Sequence, residues 1–231
     1  MRKQTTYVHT SIGTKARTMP FISLHLLALL LSLPLQTTAM EVPDCGNLSN
    51  AYGPFNYITQ KNKLRVVEEH HFTRKVERLI KGESGRIDAD IDYTLRAFPN
   101  HHRALLSISR WEQIQRRKNK GFLPNYFSAE CYFKRAIAFA PKDAIVHLIY
   151  GIHQHKSNQL QAAEKSYKNA IAINQDAAEP YYNIGLLYLD MQQPDKALPN
   201  AQKAYELGHP LPGLRNKLIK SGHWKEEIKS Q

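Results

Sequence analysis

From residue 129 to residue 207 the chain alternates apolar and polar positions with a helical period. FKRAIAF (133–139), YKNAIAI (167–173) and AQKAYEL (201–207) each place apolar groups three and four residues apart. Upstream, VVEEHHFTRKVERLI carries Val67, Phe72, Val76, Leu79 and Ile80 on one stripe, which predicts a helix broken by Gly82 and Gly85. IDADIDYTLRAF (87–98) predicts a second helix. At the far end HPLPG (209–213) reads as a rigid turn. GLRNKLIKSGHW then offers one more helix, with Leu214, Leu218 and Ile219 as its covering face and Gly222 as its stop. Residues 45–62, CGNLSNAYGPFNYITQKN, have loop composition.

Ladders of small residues run through this pattern with a fixed spacing of 34: Ala129, Ala163 and Ala197; Ala136, Ala170 and Ala204; Gly151 and Gly185. With position 1 at Ala144, the small residues Gly151 and Ala163 fall at 8 and 20, with Tyr150 at 7, Tyr167 at 24 and Ala170 at 27. With position 1 at Ala178, Tyr181, Ile184, Gly185, Tyr188, Ala197 and Ala204 take 4, 7, 8, 11, 20 and 27. The sequence resembles the tetratricopeptide repeat, a 34-residue helix–turn–helix unit in which small residues at 8 and 20 let two helices cross closely. The departures from the pattern are His147 at position 4 and Gln154 at position 11.

Upstream, Pro141 takes position 32 of a preceding unit, and counting forward from Pro99 puts Leu105, Ile108 and Ser109 at 4, 7 and 8. That unit is about eight residues long of the period, and the extra length is assigned to QRRKNKGFLPN (115–125), between its helices. The resemblance implies an all-α fold, a tetratricopeptide-repeat solenoid of antiparallel helix pairs. Its expected parts are an irregular segment over 40–66, a degenerate unit over 67–99 and a unit with the insertion over 100–141. Units over 144–177 and 178–209 and a capping helix over 213–222 complete it. The irregular segment is expected to lie across the convex side, held through Cys45.

In such solenoids the first helices of successive units line a concave groove, at positions 2, 5, 6, 9, 12 and 13. The resemblance therefore implies partner-binding residues Arg103, Leu106, Arg110, Leu148, Ile152, Tyr182, Asn183 and Leu186. They form an apolar strip with arginines at one end, suited to a protein or peptide partner of acidic character. The family's carboxylate clamp is not expected: Asn183 falls at one of its positions, but Leu148 and Ile152 occupy places where polar groups are needed.

Charge and the N-terminus add a location. Residues 1–39 contain Arg2, Lys3, Lys15 and Arg17 and no acid, followed by the apolar run Phe21–Leu35 and small residues at Thr37 and Ala39. Basic, apolar, then small is the order of a signal peptide, so the protein is expected to be periplasmic or secreted. At about 1.5 Å per residue, the apolar run is shorter than the ~30 Å core of a bilayer. Uncut, it would instead make the protein a membrane-tethered adaptor of secretion or pilus machinery. The whole chain has a net charge of +12, and removing residues 1–39 leaves 28 basic and 20 acidic side chains. That balance suits acidic partners or anionic surfaces; with export it argues against nucleic acid. The basic run 116–120 is a candidate for peripheral membrane contact. The combination of signal, CGNL…YGPFNY loop and DYTLRAFPNHHRAL resembles exported bacterial envelope proteins of the repeat family.

Two cysteines, Cys45 and Cys131, are present. In an oxidising compartment an even pair reads as one disulfide, the alternative being two buried thiols. The histidines His70, His71, His101 and His102 are the candidate metal or catalytic cluster of a metal-dependent envelope enzyme. Adjacent histidines on a helix point about 100° apart, however, and make a poor chelate. There is no HExxH, no GxSxG and no phosphate-cradling glycine loop. The reading is thus of a binding module or assembly scaffold, with no catalytic residue, no metal and no cofactor.

Overall fold

The computed structural model describes residues 41–118 and 127–224. The expected signal segment 1–39, with its apolar run, and residues 119–126 of the insertion lie outside the described residues. A two-residue antiparallel ladder, β1 (Glu41–Val42) with β2 (Gly46–Asn47), comes first. Ten α-helices follow among the described residues: α1 (Leu64–His70), α2 (Arg74–Glu77), α3 (Ile87–Ala97), α4 (His102–Arg117), α5 (Ala129–Phe139), α6 (Ala144–Lys156), α7 (Leu160–Ile173), α8 (Ala178–Asp190), α9 (Pro194–Glu206) and α10 (Gly213–Lys220).

The ladders of small residues are the contact surfaces of this stack. Ala129, Ala136, Ala163, Ala170, Ala197 and Ala204 are all fully buried. Gly151 of α6 faces the Tyr167 ring of α7, and a Cβ built on it would lie 2.6 Å from two ring carbons. Short turns join α6 to α7 and α8 to α9, which makes each pair antiparallel. Asn158 (φ 60°) and Gln192 (φ 58°), one period apart, take left-handed backbone at the same place in these two turns. The first helices start on side-chain caps where the sequence supplies them. His101 Nδ1 accepts from Ala104 N, and Asp143 accepts from Ile145 N and Val146 N. The second helices α5, α7 and α9 and the first helices α4, α6 and α8 stack so that α4 packs on α6 and α6 on α8. One core joins the first two units to α6, and a second fills α6–α10.

Three expectations about the elements change. The single helix expected over 67–80 is two short ones, because tertiary contacts at His71–Thr73 outcompete the helical period. His71 stacks on Tyr93 at 3.9 Å and bonds Asp90, Phe72 enters the core, and the Thr73 hydroxyl turns to Glu83. Ile80 is left exposed outside the stripe. The stretch assigned to the insertion, 115–125, begins inside a helix: α4 continues through Gln115–Arg117, and buried Glu112 ties the two sides together by accepting from Ala129 N at 2.7 Å, at the start of α5. The capping helix closes the last unit with Leu214 and Leu218, but Ile219 is exposed. The acids of DADIDY are buried. Asp88 and Asp92 pair with Arg86 and Arg96.

The N-terminal segment is stapled to the second helices. Cys45 and Cys131 are disulfide-bonded. Arg135 of α5 is buried and donates to the carbonyls of Cys45 and Asn47. Farther on, Phe55 N donates to Ala97 O, and Tyr57 lies over the His101 and His102 rings at 4.3 and 4.9 Å.

Candidate partner-binding groove

Of the two histidine pairs, His71, His101 and His102 are engaged in structural contacts and His70 is exposed. The backbone N–H of Ala104 makes His101 Nδ1 an acceptor, so Nε2 carries the proton and donates to Glu68 at 3.1 Å. Burial holds the His101 imidazole below its ordinary range, so it is a neutral donor, and its hydrogen bond in turn lowers the Glu68 carboxyl. His102 bonds Asp143, the cap of α6, which Asn100 also reaches at 2.9 Å. His71 belongs to a separate arrangement around Asp90. Burial alone would raise that carboxyl, but hydrogen bonds from Ser84, His71 and Glu83 hold it below the usual range. Among the described residues no three His, Cys, Asp or Glu side chains are placed to hold a metal ion. The histidines are thus distributed over separate junctions and form no cluster.

The first helices present three aligned stripes, spaced i, i+3, i+7 and i+11: Arg103, Leu106, Arg110 and Ile114 on α4; Ile145, Leu148, Ile152 and Lys156 on α6; Glu179, Tyr182, Leu186 and Asp190 on α8. Leu106, Leu148, Ile152 and Leu186 are half-buried at the edges of the cores, and Ile145 is exposed. This middle of the face is apolar.

Three of the eight expected residues are otherwise engaged. Arg103 does not point free into the groove: it is a two-pronged partner of Glu77 and also reaches Glu68, with its guanidinium over Phe72. Glu77 is held below the usual carboxylate range by that hydrogen bond. Tyr182 is buried beneath the 209–213 turn, stacked on His209 at 3.8 Å, and His209 bonds Glu179. The sequence pattern could not place a terminal turn over position 5 of the last unit. Asn183 donates to the Glu179 carbonyl of its own helix.

Arg110 is exposed and lines a cavity of 490 Å³ with Arg78, Arg117 and Lys156. Arg117 was assigned to the basic run 116–120 and not to the groove, because that run reads as loop. Extending the α4 stripe by one more turn would have found it. Asp190, at the opposite end of the groove, is paired with His155 at 2.9 Å.

Comparison with known proteins finds repeats in the same part of the chain. A family model described as TPR repeat matches residues 153–192. A second, described as tetratricopeptide repeat, matches residues 178–207 and begins at Ala178, where the small-residue ladder puts position 1. Residues 153–207 thus carry tetratricopeptide repeats. The human protein O-mannosyl-transferase TMTC3 is 23% identical over 176 residues. The match takes in 75% of this chain, which spans only 17% of the length of that relative. A solved structure described as MamA MSR-1 C2 is 17% identical, with a TM-score of 0.43 over 62% of this chain and 74% of that one; that likeness is loose and adds nothing to the assignment. The tetratricopeptide repeats make the chain an all-α solenoid whose architecture is that of a protein-interaction scaffold.

Proposed function

We propose that this repeat protein is an exported binding module or assembly scaffold, which holds a peptide or protein partner of acidic character along the face of α4, α6 and α8. The observation that carries the reading is the alignment of half-buried Leu106, Leu148, Ile152 and Leu186 on three neighbouring first helices, with unpaired cations at one end. Apolar side chains at that exposure gain from a partner that removes water from them, at about 25 cal/mol per Å². Export is supported by the order of charges and apolar residues in 1–39, and by a pair of cysteines bonded to each other. The function is binding, without catalysis. The transferase activity in the name of the human relative is not carried over, since this chain spans a small part of that protein.

Crosslinking from envelope extracts, with the wild-type chain and a Leu148→Ala/Ile152→Ala/Leu186→Ala variant, tests the groove. The variant is expected to keep its helical circular dichroism and lose its partners. A folded variant that keeps every partner refutes the reading. Cell fractionation with N-terminal sequencing tests the location: a periplasmic chain starting near residue 40 is expected, and a membrane-bound chain retaining residues 21–35 makes it a tethered adaptor instead.

A further inference from the structure

The cavity at the end of the groove carries more charge than the fold uses. It is lined by Arg78, just past α2, by Arg110, Gln113 and Arg117 of α4, and by Lys156 of α6, with Glu77 as its carboxylate. Glu77 is already taken by Arg103. A second cavity, of 450 Å³, shares Gln113, Arg117 and Lys156 and continues past the end of α6 to Ser157 and Asn158. There Arg116 is occupied by buried Glu112. Among the described residues, Arg78, Arg110, Arg117 and Lys156 form no ion pair with any carboxylate. All four are exposed. Asp190, at the opposite end of the groove, is paired with His155.

Four like charges around one concavity repel one another, and a cleft wall of low dielectric concentrates their field. Within a folded chain nothing is gained by gathering them; an incoming pair of carboxylates relieves the repulsion and is gripped by guanidinium forks. Position supplies the rest of the argument. Lys156 ends the same stripe of α6 that carries Ile145, Leu148 and Ile152. A ligand seated on the cations therefore runs directly onto apolar side chains.

We infer that the cavity between α2, α4 and α6 is the anion-binding subsite of the groove, where Arg78, Arg110, Arg117 and Lys156 take two or more carboxylates of a peptide whose adjoining apolar residues lie along Leu148 and Ile152. The inference rests on the groove reading above and fixes which way the acidic end of the partner lies. A bilayer is the poorer occupant, since a flat sheet of headgroups meets protruding cations more readily than a recessed cleft.

The test is selection of a random linear-peptide display library on the immobilised full chain, followed by fluorescence anisotropy with the synthetic winners. The expected winners carry clustered Asp or Glu beside apolar residues. Their affinity falls about tenfold or more in Arg110→Glu and in Arg117→Glu, and falls steeply with added salt. Circular dichroism confirms that these surface variants fold. Apolar winners without acids, lost in Leu148→Ala/Ile152→Ala but indifferent to charge reversal, would leave the groove standing and overturn the subsite. Acidic winners indifferent to Arg110→Glu and Arg117→Glu overturn it as well. No winners at all overturn both readings. Phosphatidylglycerol vesicles that bind the wild type but not Arg117→Glu, with no acidic peptide selected, would assign the cations to a membrane and overturn the proposal.

Discussion

Position 8 of a repeat is glycine in two successive units, Gly151 and Gly185, yet the two glycines face different neighbours. A Cβ on Gly151 would meet the Tyr167 ring at 2.6 Å, at two carbons, and a third at 3.1 Å. That ring is fully buried and has no room to withdraw. A Cβ on Gly185 would meet the Cδ2 tip of Leu214 at 2.6 Å and its other methyl at 3.5 Å. A leucine tip can change rotamer; a packed ring must move its helix. Overpacking of a rigid site costs about 1–3 kcal/mol, and Gly→Ala inside a helix returns about 0.5–1 kcal/mol. Gly151→Ala should therefore lose about 1–2 kcal/mol, while Gly185→Ala should lie within about 0.5 kcal/mol of wild type. Urea unfolding followed by helical circular dichroism reads this difference. With a slope of about 2–3 kcal/mol/M, the Gly151→Ala midpoint should drop by roughly 0.5 M. Trimming the ring in Gly151→Ala/Tyr167→Leu should make the glycine substitution nearly neutral against Tyr167→Leu alone. Equal losses in the two single variants, or a Gly151→Ala chain as stable as wild type, would refute the argument that ring contact distinguishes them.

The Cys45–Cys131 bond closes a loop with a sequence separation of 86. Cys45→Ser/Cys131→Ser should lower stability by about 4–5 kcal/mol on the chain-entropy estimate, read as a urea midpoint without reductant; a loss below about 1 kcal/mol would show that the staple constrains little. Burial holds the imidazoles of His101 and His153 below their ordinary value of 6.5. The unfolded chain thus takes up protons before the folded one, and stability should fall as pH drops from about 7 to about 5. His101→Asn, which keeps an acceptor for Ala104 N, should flatten that slope; an unchanged slope would remove His101 from the explanation. Gln192 adopts φ 58° in its turn. Gln192→Gly relieves left-handed backbone strain and should raise the urea midpoint by the equivalent of about 0.5–1 kcal/mol, and a loss would mean that its side chain matters more than its backbone.

The repeat was legible in the sequence because its physics is local and periodic. A close helix crossing demands a small residue every 34 positions, and Ala163, Ala170, Ala197 and Ala204 all meet that demand by being fully buried. The apolar middle of the groove was legible for the same reason, since Leu148 and Ile152 follow from register alone. The cysteine pairing was one of two open readings, and the structure bonds the two sulfurs. The break at His71–Thr73 was not legible. It depends on Asp90, Tyr93 and Glu83, which approach only after the chain has folded.

Charge was where the sequence misled. Arg103 and Arg110 lie on one stripe and look equivalent, but two carboxylates from α1 and α2 reach only Arg103. Tyr182 carries the right register for a groove residue, yet His209 folds over it from the C-terminal turn. Sequence by itself determined the helices of the repeats from residue 129 on, their period and the face each turns inward, because these are properties of neighbours along the chain. Only the tertiary structure decided which cations remain unpaired and which apolar residues remain uncovered. Those depend on side chains that are distant in sequence and adjacent only in the folded stack.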